Sequence, residues 1–309
     1  MKKIYYIAVV FAILFLAGCG DGIDLPGVNV ETDLNKIPLP DNNVNLEQVE
    51  LKPSTEPMLH EGLHTEEDFQ RIRDKKAAGE EPWVSAYQLL VESQFSQKTA
   101  DTYPTEWIKR GVSGDENYMN AARGATIVYQ QALRWKIEQD DEYAAKAVEN
   151  LNKWVQTCVG VTGNTNLSLA AGLYGYEFAI AGELLRDYEG WDRADFAAFQ
   201  NWLLKVFYPA NDDFLKRHHD TNALHYWANW CLCNIAAKMA IGIVTDRRDI
   251  YNEGIAHLQT GDTNGRLRRA IYHDYAPDYN FAQWQESGRD QGHTLMCVGL
   301  MGVICQLAW

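Results

Sequence analysis

Two stretches of the chain set side chains that move protons and hold anions into otherwise apolar surroundings. The first is His218-His219-Asp220-Thr221-Asn222-Ala223-Leu224-His225-Tyr226-Trp227-Ala228-Asn229-Trp230. Asn222, His225 or Tyr226, and Asn229 fall at i, i+3/i+4 and i+7, which predicts one shared helix face with Trp227 and Trp230 on the adjoining stripe. The second is Trp284-Gln285-Glu286-Ser287-Gly288-Arg289-Asp290-Gln291-Gly292-His293-Thr294. Glu286, Arg289 and His293 recur there at i, i+3 and i+7, just before the apolar run Leu295 to Leu300. That is the pattern of a helix whose N-terminal end opens into a cleft. Between the two, Tyr272-His273-Asp274-Tyr275-Ala276-Pro277-Asp278-Tyr279 reads as a loop dense in titratable aromatics. Each stretch also has a plainer reading: a satisfied polar patch, a solvated arginine–glutamate pair, an ordinary surface loop.

Other chemistries find less support. No HExxH or carboxylate ladder is present, and the adjacent His218, His219 and Asp220 are poorly spaced to converge on one ion, so neither metal nor cofactor is expected. The GxSxG elbow of serine hydrolases is missing. Arg266, Arg268 and Arg269 could steer an anionic polymer, although a solvated charged face accounts for at least two of the three.

The elements that must position these residues are helical. Apolar spacing predicts helices over 65–78, 82–97, 115–139, 141–158, 168–188, 192–207, 221–244, 246–259 and from about 287 onward, separated by breaks such as Asp140-Asp141, Gly190 and Asp246. Period-two strand patterns and short repeats are lacking, so the class is all-α. A succession of helices laced with Trp and Tyr suits an incomplete (α/α) toroid of antiparallel helix pairs. Trp107, Trp135, Trp154, Trp191, Trp202, Trp227, Trp230 and Trp284 would be divided between packing and stacking on sugars. The pattern runs through Cys305-Gln306-Leu307-Ala308-Trp309 without a capping residue, so a domain over residues 60–309 that is cut at its C-terminal end is expected.

At the other end, Lys2 and Lys3 precede an apolar stretch, Ile4 to Leu16, and then Leu16-Ala17-Gly18-Cys19. This is the form of a bacterial lipoprotein signal over residues 1–18, with Cys19 lipidated, which implies export and a membrane anchor in the cell envelope. Residues 19–59, rich in Asp, Asn, Gly and Pro, read as a flexible tether. The formal net charge of −14 argues against a nucleic-acid partner. The five further cysteines lie in apolar, helix-like stretches without metal-ligand spacing, and read as buried free thiols.

Several motifs resemble the alginate lyase superfamily of polysaccharide lyases over roughly residues 60–309. They are Leu169-Ala170-Ala171-Gly172-Leu173-Tyr174-Gly175-Tyr176-Glu177-Phe178, Glu183-Leu184-Leu185, Gly190-Trp191, Tyr226-Trp227-Ala228-Asn229-Trp230 and Glu286-Ser287-Gly288-Arg289-Asp290-Gln291-Gly292-His293. The resemblance implies an incomplete toroid with a cleft across its face and metal-free β-elimination of a uronate polymer, in the periplasm or on the outer membrane. The chain departs from the family pattern in two places. Ala223 and Leu224 replace an Asn-His pair after Asn222, and Met296 stands where a catalytic Tyr follows the Arg. Such chemistry needs donors to neutralise the sugar carboxylate, and Asn222 and Arg289 are the candidates, with Asn166 behind them. His225 is the first choice as base and His293 the second; Tyr275 or Tyr279 would protonate the leaving oxygen. Tyr226, Trp227, Trp284, Glu286 and Gln291 would line the substrate path. The alternatives are a glycoside hydrolase with paired carboxylates among Asp274, Asp278, Glu286 and Asp290, or a non-catalytic glycan-binding lipoprotein.

Overall fold

The computed structural model describes residues 58, 60, 62–275 and 282–309. The expected leader, Cys19, nearly all of the tether, and Tyr279 lie outside the described residues. α1 (Glu66–Ala77) opens with a capping box: Thr65 Oγ1 accepts from Asp68 N, and Asp68 Oδ2 accepts from Thr65 N, each at 3.1 Å. α2 spans Trp83–Glu92. α3 (Tyr118–Glu138) stops at Gln139, which turns left-handed at φ 56°, and the Asp140 side chain caps α4 (Asp141–Thr157). α5 (Leu167–Leu184) and the Asp192-capped α6 (Arg193–Val206) follow.

Several predicted boundaries are corrected. α7 (Tyr208–Arg217), with Pro209 in its first turn, is a helix that the apolar spacing did not predict. The helix expected over 221–244 begins only at Ala228, as α8 (Ala228–Val244). His218, His219 and Asp220 take φ of 50°, 52° and 59°, and Asn222 Oδ1 accepts from Leu224 N at 2.8 Å. This local side-chain turn competes with helix, so Asn222, His225 and Asn229 share no helical face. After α9 (Arg248–Thr260) and the single turn α10 (Leu267–Ala270), the last helix, α11, spans Gln291–Ala308. It starts at Asp290 rather than near 287, so Glu286 and Arg289 precede it.

Among the described residues, four short strands interrupt the all-α pattern. β1 (Trp107–Arg110) pairs in parallel with β2 (Gly160–Gly163), and β3 (Ile271–Asp274) pairs antiparallel with β4 (Ala282–Trp284). The helices form two rows. α3, α5, α8 and α11 pack successively on one another, backed by α4, α6, α7 and α9. α8 is buried along nearly its whole length, between α5 on one side and α9 and α11 on the others. The aromatic core lies between the rows, where Phe178 meets Trp154, Trp202 and Phe207 at centroid distances of 5.4, 5.2 and 6.1 Å. Trp154, Trp191 and Trp202 are therefore packing residues, whereas Trp107 and Trp227 are exposed. Cys158, Cys231, Cys233 and Cys297 are buried free thiols; Cys305, also free, is exposed.

Candidate active site

The starts of the inner helices meet at one end. β1 leads into α3 and β2 into α5, and their parallel register, Trp107↔Gly160 through Arg110↔Gly163, holds these two entries side by side. The pairing requires Gly163, at φ +143°, because a Cβ there would lie 1.8 Å from the Arg110 carbonyl oxygen. Asn234 of α8 then donates to the Ser168 carbonyl in the first turn of α5 (3.1 Å) and accepts from Asn211 of α7 (2.8 Å). The four inner helices thus bring the positive ends of their dipoles together, an arrangement suited to an anion.

α8 has no side-chain cap of its own; its free N–H groups are met from the loop after β4. Ala228 N donates to Gln285 Oε1 at 2.8 Å and Asn229 N to Glu286 Oε1 at 2.9 Å. The Asn229 Nδ2 group also reaches both Glu286 oxygens, at 2.7 and 2.9 Å. Glu286 is fully buried, and it accepts in addition from Arg289 Nη1 (3.0 Å) and from the Cys297 thiol (3.1 Å). It was expected to line the substrate path; instead it is the bracket that ties α8, Arg289 and α11 together. Burial, and next the Glu286 carboxylate, push the Cys297 thiol well above its usual range.

Held this way, the Arg289 guanidinium lies over the Trp227 ring, 5.5 Å from its centroid. The next residue, Asp290, caps α11 through His293 N at 2.8 Å and binds His293 Nδ1 at 2.6 Å. Those two bonds hold the Asp290 carboxyl below the usual carboxylate range. In the neutral ring, donation of Nδ1–H to Asp290 leaves the lone pair on Nε2. Arg289 Nε stands 3.9 Å from the same carboxylate, so cation and imidazole lie on either side of Asp290.

The other expected site residues are scattered around this group. His225 is exposed in the turn before α8, edge-on to Tyr226 at 4.9 Å. Asn222 is exposed and spends its oxygen on the turn. Tyr226 is buried against Phe214, Trp230 and His219, at 5.2, 4.7 and 5.7 Å. Asn166 precedes α5 and bonds Asn164 Oδ1 at 2.9 Å. Trp284 is half-buried in β4, and Gln291 is exposed at the start of α11. Tyr275 donates to Gln283 Oε1 at 3.1 Å across the hairpin, with its ring against His273. Of the arginine cluster, Arg266 bonds the Gln259 carbonyl at 3.0 Å and Arg268 is exposed.

One residue was missed. His219 Nε2 meets Ser168 Oγ at 3.0 Å, and its ring faces Tyr226. The run His218-His219-Asp220 opens the first polar stretch, but spacing gives His219 no partner. A left-handed turn, which no apolar period reveals, is what delivers His219 to α5. Among the described residues no group of three or more His, Cys, Asp or Glu side chains could hold a metal ion.

A sequence profile of the family described as Alginate lyase matches residues 72–279. No curated protein matches the chain.

Proposed function

This chain belongs to the alginate lyase family, and with it to the polysaccharide lyases; from that premise we propose that it cleaves alginate or a similar uronate polymer by metal-independent β-elimination. One observation carries the reading: the Arg289 guanidinium, held by Glu286, and the His293 imidazole, held by Asp290, stand side by side next to the exposed Trp227. In the reaction Arg289 and the converging helix N-termini hold the sugar carboxylate and offset the second negative charge that builds on it. Nε2 of His293 takes the proton from C5. The electron pair so released forms the C4–C5 double bond, and the C4–O bond breaks with its electrons on the leaving oxygen. A phenol then supplies that oxygen with a proton. Tyr226 and Tyr275 are the described candidates, and Trp227 offers a stacking face to the sugar ring.

The two helix rows support an incomplete (α/α) toroid, and the lipoprotein-type leader supports attachment to the envelope through Cys19. Two of the four carboxylates that the hydrolase alternative would draw on are otherwise engaged, Glu286 being enclosed and Asp290 bound to His293; Asp274 is exposed, and Asp278 lies outside the described residues. Incubation with alginate, with glucuronan and with glycosaminoglycans separates the readings. Elimination produces ultraviolet absorbance from unsaturated ends together with new reducing ends. Reducing ends without absorbance would mean hydrolysis, and neither signal would mean a binder.

A further inference from the structure

Arg110 closes β1 at the junction of three inner helices. Its guanidinium lies over the ring of Tyr118, the first residue of α3, 4.6 Å from the centroid. Its backbone is in register with Gly163, just before α5. Its charge also reaches the Cys233 thiol, which faces Gly172 across the α5–α8 seam. Cys233 in turn is in electrostatic reach of Cys297, and Cys297 bonds Glu286, the residue that holds Arg289. Arg110 ends the strand that leads into α3 and Arg289 precedes α11, so the two guanidinium groups belong to the end of the inner row where its helices start.

Arg110 is half-buried, and with Arg269 it has an enclosed Nη1 that no hydrogen bond satisfies, which sets both apart from Arg134 and Arg186. Arg134 is paired with Glu138, and Arg186 with Glu183 at 2.9 Å. Nη1 of Arg110 is shut off from solvent and has no hydrogen-bond partner, and the side chain forms no ion pair among the described residues. Acids close by in sequence are already used: Asp115 binds Lys109 at 2.6 Å, and Glu116 accepts from Gly111 N at 2.6 Å. The Tyr118 ring offsets part of the cost of enclosing a cation, but it supplies no counter-charge. Such a group is stable only when strain elsewhere is tolerated or when a ligand completes it.

We infer that Arg110 receives an anionic group of the saccharide, a carboxylate by the chemistry above, at a binding position additional to that of Arg289. The inference rests on the polysaccharide reading and narrows it. The preferred ligand carries charged groups at more than one position along the chain, so a run of acidic sugars suits the site better than an isolated one.

The test uses the full chain and its Arg110→Met and Arg110→Lys variants, with a uronic acid tetrasaccharide and its carboxyl-reduced counterpart as probes. The wild type should prefer the acidic probe. Arg110→Met should lose about thirtyfold of that preference, and Arg110→Lys should retain part of it. Without ligand, Arg110→Met should melt at a higher temperature, because an uncompensated charge has gone. Undiminished preference in Arg110→Met, or a lower melting temperature that marks a purely structural role, overturns the inference. Absorbance from unsaturated ends in the same wild-type samples tests the lyase reading separately. Arg110-dependent binding without that absorbance sinks the lyase reading alone, and absorbance with undiminished preference in Arg110→Met sinks the Arg110 inference alone.

Discussion

His293 owes its candidacy to a neighbour. The Asp290 bond at 2.6 Å engages Nδ1, so the imidazole is oriented before any ligand arrives. His293→Gln should lower kcat by roughly 10²–10⁴ while leaving KM within a few-fold, whereas His225→Gln should change little; steady-state kinetics on one polymer compares them. A second residue-scale prediction concerns Glu177, in the resemblance motif on α5. Burial raises its carboxyl from 4.5 to about 8, against the weak pull of the Tyr176 hydroxyl 3.5 Å away. Between those values the folded chain keeps a proton that the unfolded chain has lost, so stability falls as pH rises through that window. His64 is lowered to about 4 by burial and does the reverse, adding stability between about 4 and 6.5. Above pH 6.5 Glu177 can be read apart from His64. Glu177→Gln should flatten the decline between pH 6.5 and 8 and be the more stable protein at pH 8 in urea unfolding. Residue types were legible in the sequence here, since Arg289, Asp290 and His293 stand in one motif. Partners were not: nothing in the spacing says that Glu286 is enclosed or that His219 reaches Ser168.

At the scale of the element, the informative case is the start of α8. Sequence periodicity extended this helix back to 221, because Asn222, His225 and Asn229 fit a helical stripe. The left-handed turn at 218–220 and the Asn222 side-chain bond outweighed the stripe, and both are local features weaker than periodicity to the eye. The cap that does start α8 comes from 57 residues further on, beyond any local signal. Glu286→Ala should therefore cost on the order of 3 kcal/mol in urea unfolding, since it strands the Asn229 donors and the Arg289 charge. Glu286→Gln, which can still accept from Asn229 N, should cost less while raising KM through Arg289. By contrast, α1, α4 and α6 started within a residue or two of the expected places, because Thr65, Asp140 and Asp192 are side-chain caps written in the local sequence.

The whole molecule sets a far field against a near one. A net charge of −14 repels an acidic polymer at long range, while Arg289 and Arg110 attract it at contact. Salt screens the repulsion first, since the Debye length is about 30 Å at 0.01 M and about 10 Å at 0.1 M. KM for a long acidic polymer should thus fall between those ionic strengths and rise again toward 1 M; a steady rise from the lowest salt would mean that the local cations govern encounter. The succession of helices and the absence of long strands made the all-α class legible from periodicity alone, whereas the β1–β2 pair that aligns α3 and α5 was too short to register. The remote cap on α8 also has a bearing on how the chain matures in the cell. At roughly 5–20 residues per second, several seconds of translation separate the emergence of Asn229 from that of Glu286. Over that interval the nascent chain carries an unfinished helix end, so the start of α8 is completed only after the loop that follows β4 has been made.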